Sequence, residues 1–132
     1  MAVIVADTSI VIGFLRGHDP EAQAFANLLT ERRVCLTAVT VFELAIGVGG
    51  FEQLSGRLGS LAGALEVLPL DAEAALRAGE LERQLRRKGV PIGLADVLIA
   101  GICLRHARPL LTLNTQHFSR VDGLRVLAPG AL

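Results

Sequence analysis

The 132-residue chain is 52% apolar and 20% charged, which excludes an intrinsically disordered protein and leaves enough apolar side chain for a buried core. Its formal net charge is zero, so no global field draws in nucleic acid. Aromatic residues make up only 4%, with no Trp and no Tyr, so the core must be built from Leu, Val, Ile and Ala.

In chain order, "AVIVA" (2–6) is a β-branched run without alternation, the pattern of a strand covered on both faces. "SIVIGFLRG" turns into a short helix ending near Gly17. "DPEAQAFANLLTERR" predicts a helix with Asp19 as N-cap, Pro20 at the first helical position, and an apolar stripe of Ala22, Phe25, Ala26 and Leu29. "VCLT" is a second buried strand, and "AVTVFELAIGVGG" a helix closed by glycines. "FEQLSGRLGSLAGAL" predicts another helix, weakened by Gly56, Gly59 and Gly63, before a third strand in "EVLPL".

"DAEAALRAGELERQLRRKG" carries the clearest helical signal. Asp71 caps it, Ala74, Ala78, Leu81 and Leu85 form its stripe, and basic residues fill the last turn before Gly89. "GLADVLIAGICLRHA" is apolar nearly all round and therefore central. "PLLTL" is a fourth strand, "NTQHF" a short turn or helix, and "LRVL" a fifth strand. Strands alternating with helices predict one α/β domain over 1–132, with a mostly parallel sheet of about five strands and helices on both faces.

No apolar run reaches the roughly eighteen residues of a membrane span, and the N-terminal run lacks the flanks of a signal peptide. Cys35 and Cys103 both lie in apolar segments and form no CxxC, so they are expected as buried thiols in a reducing, cytoplasmic compartment, without a membrane partner.

The acids stand out against this background. In open α/β sheets, sites form at the carboxyl ends of strands. Asp7 ends the first strand, Glu43 lies one turn into the helix after the second, and Thr112 and Asn114 lie at and just past the end of the fourth. Asp96 falls in the first turn of the apolar helix, pointing to the same edge. Two carboxylates about 4 Å apart repel by roughly 4 kcal/mol at an effective dielectric near 20. Three therefore call for protonation or a cation. Oxygen donors without a His or Cys cluster suit Mg²⁺ or Mn²⁺, which can activate a water and steady a phosphoryl oxygen. Each acid also has a local reading: Asp7 as a helix cap, Glu43 in a capping box with Thr40, and Asp96 complementing its helix dipole.

"VADTSIVIGFL", "LTAVTVFELAIGV" and "GLADVLIAGICLRHARPLLTLNTQHFSRVDGLRV" together resemble the PIN-domain nucleases, specifically the VapC-type toxins of toxin–antitoxin pairs. The resemblance implies a three-layer α/β/α fold and a Mg²⁺-dependent endoribonuclease that cleaves RNA by metal-activated water. Carried onto this chain, the acidic set is Asp7, Glu43 and Asp96. The fourth position, often Asp in the family, falls on Asn114, eighteen residues after Asp96. Thr8, Ser9 and Thr112 match hydroxyl positions that support the site. Asp7 and Asp96 are then metal ligands with Glu43 beside them positioning or deprotonating the water, and the amide at Asn114 favours one firmly bound ion over two.

Arg16, Arg86, Arg87 and Arg120 are candidate RNA contacts, alongside Arg83 and Lys88. His117 is expected to be structural or exposed, and Phe118 to pack. The resemblance further implies a homodimer or toxin–antitoxin hetero-oligomer, silenced by a VapB-type antitoxin across the active-site groove, with the apolar helices between Glu21 and Leu65 suited to that docking. Asn114 leaves open a catalytically inactive PIN-like module that binds protein or RNA. A phosphoaspartate receiver or phosphatase fits poorly, because Ser9 stands where a phosphatase wants a second Asp and Lys88 is the only lysine.

Overall fold

The computed structural model describes residues 2–47 and 55–132. Five short strands, β1 (Ile4–Ala6), β2 (Val34–Thr37), β3 (Val67–Leu68), β4 (Leu110–Leu111) and β5 (Val126–Leu127), form one sheet in the order β3-β2-β1-β4-β5. Every pairing is parallel, with Ile4 opposite Val34, Ala6 opposite Leu111, Thr37 opposite Leu68 and Leu111 opposite Leu127.

Side chains alternate across the sheet, and both sides are buried. Ile4, Ala6, Val34, Leu36 and Leu111 face a core shared with α1 (Thr8–Arg16), α2 (Glu21–Thr30) and α4 (Ser55–Ala64). Val5, Cys35 and Leu110 face a second core with α5 (Ala72–Arg87) and α6 (Leu94–Arg105). This two-sided burial is the physical reason the strands read as unbroken apolar runs, and it makes the three-layer α/β/α architecture. Both cysteines are free thiols buried in the second core. No described helix is long and apolar enough to cross a membrane.

The chain winds outward from β1 to β3 on one side, then returns through α5 and α6 to lay β4 on the other side of β1. The winding therefore reverses between β1 and β4, the place where such sheets open a crevice at the strands' carboxyl ends.

The α5–α6 hairpin sets one wall of that crevice. Asp71 accepts a hydrogen bond from the Ala74 amide at 2.8 Å, and Ala74, Ala78, Leu81 and Leu85 are the buried face of α5, as the periodicity requires. Arg105 Nε, at the end of α6, lies 2.9 Å from Glu73 Oε2 near the start of α5, so the two helices run antiparallel. Gly101 permits their close approach, because a Cβ there would lie 2.7 Å from both the Ala74 carbonyl oxygen and the Ala78 Cβ. The antiparallel pairing brings the first turn of α6 to the end where α5 stops.

The helix at 21–30 departs from expectation. Pro20, not Asp19, is the residue flanking α2, and the Asp19 carboxylate instead accepts from the Gln23 amide at 3.1 Å. Its buried residues are Ala24, Phe25 and Leu28, whereas Ala22, Ala26 and Leu29 are only half-buried. Phe25 decides the rotation: its ring stacks at a tilt on Phe14 of α1, with centroids 4.6 Å apart, and carries the neighbouring turn inward with it. The closing glycines expected at 49–50 and the helix start expected at 51–54 lie outside the described residues.

Candidate active site

Asp7 follows β1 directly and is the N-cap of α1, in extended conformation (φ −68°, ψ 160°). Its Oδ1 accepts from the Thr8 amide at 2.8 Å, so the local capping reading holds. Capping does not exhaust its contacts. Oδ2 accepts from the Thr112 hydroxyl at 2.7 Å and from the Ser9 hydroxyl at 3.3 Å, and Asp7 is only 3% exposed. The Thr112 oxygen in turn accepts from the Asn114 amide at 2.9 Å, and the Ser9 oxygen from the Leu113 amide at 3.2 Å. Two hydroxyls thus tie the end of β4 to the start of α1 around one buried carboxylate.

Glu43 lies on α3 (Ala38–Ala45), which begins immediately after β2. The capping box expected between Thr40 and Glu43 is absent. Thr37 is the N-cap, accepting from the Thr40 amide at 3.1 Å, which places Glu43 too far along the helix to cap anything. Its Oε1 accepts from the Thr8 hydroxyl at 2.7 Å instead. Asp7 and Glu43 are therefore bound by adjacent residues of one helix start.

Asp96 occupies the first turn of α6, whose N-cap is Gly93 at φ 103°. Its Oδ2 lies 3.6 Å from Nδ1 of His117 on α7 (Thr115–Phe118). Burial pushes the Asp96 carboxyl up to about 6, the negative charges of Asp7 and Glu43 add to the shift, and His117 opposes it. Asp7 is raised as well, chiefly by burial and further by Glu43, against the lowering effect of its three hydrogen bonds. The three acids thus feel one another electrostatically. Among the described residues no three His, Cys, Asp or Glu side chains stand as a closed metal cage. Glu43 is held by Thr8 and Asp96 sits beside His117, so the acids couple across a gap.

Such a set fits a hard divalent cation. The donors are carboxylate and hydroxyl oxygens, two of the acids carry raised pKa values that a cation would relieve, and Mg²⁺ is commonly held by one or two carboxylates with the rest of its shell water.

Asn114 flanks α7 at the same rim. Its amide is bound to Thr112, while its side chain is exposed and makes no capping hydrogen bond. Phe118 is fully buried in the second core, as expected. Glu66 forms a 2.6 Å ion pair with Arg108, away from the acids.

Basic residues gather at the same end of the hairpin as Asp96. Arg86 pairs with Glu82 at 3.4 Å, and Arg87 beside it is exposed. Lys88 reaches Asp122 at 3.4 Å, joining the end of α5 to the segment after α7 that carries exposed Arg120. Arg16 closes the nine-residue α1, roughly 13 Å along the helix axis from Asp7. Sequence reasoning missed two features, the Asp96–His117 contact and the buried hydroxyls of Thr37 and Thr40 behind Glu43. The available signal for the second was a Thr-x-x-Thr pair embedded in an otherwise apolar stretch.

A parallel sheet whose reversal point is rimmed by coupled carboxylates places the chain among α/β proteins with an acidic site at the carboxyl edge of the sheet. The PIN domain family model matches residues 4–124. The tRNA(fMet)-specific endonuclease VapC of Shigella flexneri is 31% identical over 128 residues, covering 95% of this chain and 96% of the relative. Ribonuclease VapC10 of Mycobacterium tuberculosis is 32% identical over 124 residues, covering 93% and 91%. Among solved structures, the DNA-bound VapBC of Salmonella typhimurium superposes with a TM-score of 0.81 at 26% identity, covering 98% of this chain and 99% of that one. The chain belongs to the PIN-domain family, in its VapC-type ribonuclease branch.

Proposed function

We propose that this chain is the toxin of a toxin–antitoxin pair, an endoribonuclease that hydrolyses RNA phosphodiester bonds with a divalent cation, Mg²⁺ or Mn²⁺. The observation that carries the reading is the electrostatic coupling of Asp7, Asp96 and Glu43 at the reversal point of the sheet. Relatives named as ribonucleases over nearly their whole length support the reaction class.

Asp7 and Asp96 would hold the cation, with Glu43 at its edge. When bound, it would offset the carboxylate charge, polarise a phosphoryl oxygen and ease loss of a proton from water. Glu43 accepts the proton of the attacking water, whose oxygen bonds to phosphorus as the ester bond to the leaving ribose oxygen breaks; that oxygen takes up a proton from solvent. Thr112, Ser9 and Thr8 keep the carboxylates oriented. Asn114 contributes an amide at the rim, able to orient water but adding no charge. Arg86, Arg87 and Arg120 would contact the RNA backbone beside Asp96, with Arg16 further along.

An antitoxin of the VapB type is the proposed partner, consistent with the VapBC complexes that share the fold. A cavity of about 430 Å³ between α1, α2 and α4, lined by Phe14, Leu15, Leu29, Arg57 and Leu61, offers an apolar helix a groove within the segment expected to dock one. A second apolar depression, lined by Phe42, Ile46, Leu70, Leu94 and Leu98 beside Glu43, is the proposed contact with a second copy of the chain.

The test is cleavage-site mapping on total cellular RNA with the wild type, Asp7→Asn and Asp96→Asn, with and without Mg²⁺. Divalent-dependent cuts by the wild type alone are expected. Undiminished cleavage by either variant, with the fold intact by circular dichroism, would reject that residue's role.

A further inference from the structure

Behind Glu43 stand three threonines, Thr8, Thr40 and Thr37, each essentially withdrawn from solvent. Thr8 Oγ1 lies 2.7 Å from Glu43 Oε1 and 3.0 Å from Thr40 Oγ1. Thr40 Oγ1 lies 3.5 Å from Thr37 Oγ1, and the Thr37 oxygen accepts from the Thr40 amide at 3.1 Å.

A hydroxyl has one proton to give, and a carboxylate only accepts. The short Thr8–Glu43 contact therefore commits the Thr8 proton to Glu43. Thr8 must then be the acceptor in its contact with Thr40, which commits the Thr40 proton in turn, and Thr37 closes the row by donating to Thr40. The direction is set along the whole row, from the cap of α3 through Thr40 and Thr8 to the carboxylate. Each donor in such a row polarises the next, and burial strengthens every link.

We infer that Thr40 is a positioning residue for Glu43, acting through Thr8. Thr40 reaches Glu43 through Thr8: it fixes the rotor of Thr8 so that the hydroxyl proton points at Oε1. Glu43 is half-buried on α3, with Phe42 exposed beside it, and has three side-chain torsions to restrain. Without the row behind it, Thr8 can turn its proton elsewhere and Glu43 loses the hydrogen bond that anchors Oε1. This rests on the reading of Glu43 as the acceptor of the water's proton, since only then does its orientation enter the chemical step.

Thr40→Val keeps the shape and removes the hydroxyl, whereas Thr40→Ser keeps the hydroxyl. With RNA cleavage followed under saturating Mg²⁺, Thr40→Val should lower kcat roughly tenfold to a hundredfold with KM unchanged, and Thr40→Ser should recover most of it. A second readout needs no activity. Urea unfolding of Thr40→Val, Glu43→Ala and the double variant should give non-additive unfolding constants, although the two side chains do not touch. If Thr40→Val does not fold, Thr40→Cys, close in volume and a weak donor, replaces it in both experiments. Unchanged kcat in Thr40→Val, equal loss in Thr40→Ser, or additive unfolding constants would each overturn the inference. A wild type that cleaves no RNA removes the underlying functional reading instead, which separates the two failures.

Discussion

The Thr112 hydroxyl donates to Asp7 Oδ2 across 2.7 Å, joining residues 105 apart in the chain at the junction of β1 and β4. Both are buried, and the same Thr112 oxygen receives the Asn114 amide, so one side chain holds the carboxylate and the start of α7 together. Thr112→Val leaves Asp7 and the Asn114 amide each short of a partner, a loss of about 1–3 kcal/mol in stability. Urea denaturation should show that loss, Thr112→Ser should recover most of it, and RNA cleavage should fall with Val and return with Ser.

The raised carboxyls set a pH dependence whose sign follows from linkage. Burial and its acidic neighbours push the Asp96 carboxyl up to about 6 in the fold, from the ordinary 3.8 of a free aspartate. Between those values the native state holds a proton the unfolded chain has lost, so ionisation costs stability. The penalty is absent below pH about 4, grows as pH rises, and is complete above about 6. In the presence of a chelator at pH 7.5, Asp96→Asn should melt a few degrees higher than wild type, on the order of 1 kcal/mol after discounting for solvent screening, and the gap should close near pH 4.5. A variant of lower Tm at pH 7.5 would contradict the coupling.

Divalent cation should reverse that ranking. Mg²⁺ at a hundred times its Kd stabilises the protein that binds it by about 2.7 kcal/mol. Thermal scans should therefore show wild type rising with added Mg²⁺, while Asp7→Asn and Asp96→Asn respond little. Chelation should abolish cleavage, and Mg²⁺ or Mn²⁺ should restore it.

Gly101 is a packing requirement with no direct part in the chemistry. Gly101→Ala forces a methyl against the Ala74 carbonyl and Ala78, and should cost about 1–3 kcal/mol. Gly79, on the exposed side of α5 with nothing within 4 Å of an added Cβ, is the control: Gly79→Ala should be neutral or stabilise by up to about 1 kcal/mol. Urea unfolding of both variants measures the contrast.

The apolar depression beside Glu43 exposes 61% of Phe42, 62% of Ile46 and 75% of Leu94. Phe42→Asp should convert the proposed dimer to a monomer by light scattering while leaving the circular dichroism spectrum unchanged. A variant that stays dimeric would place the second copy on another face, and a monomeric wild type would reject the proposed dimer.

Much of this molecule was legible from residue order. The run "AVIVA" is unalternating because both sides of β1 are buried, and the stripe Ala74, Ala78, Leu81, Leu85 is periodic because α5 presents one face to α6. Caps such as Asp71 and Gly17 are local, and local chemistry survives into the fold. The rotation of α2 was not legible, because a ten-residue helix of mixed Ala and Leu presents two comparable stripes, and only the Phe14–Phe25 contact selects one.

The candidate site divides in the same way. Residue types and strand-end positions singled out Asp7, Glu43 and Asp96, since an acid amid apolar residues needs a reason to be there. Nothing in the order of residues could state that Thr112 bonds Asp7, that Thr8 turns to Glu43 with Thr40 behind it, or that His117 stands beside Asp96. The hydrogen bonds among them join residues 32 to 105 apart in the chain. They exist because the winding reverses between β1 and β4 and because Gly101 lets α6 lie close on α5. Side-chain character along a segment is a property of the sequence; which remote segments share an edge is decided by packing.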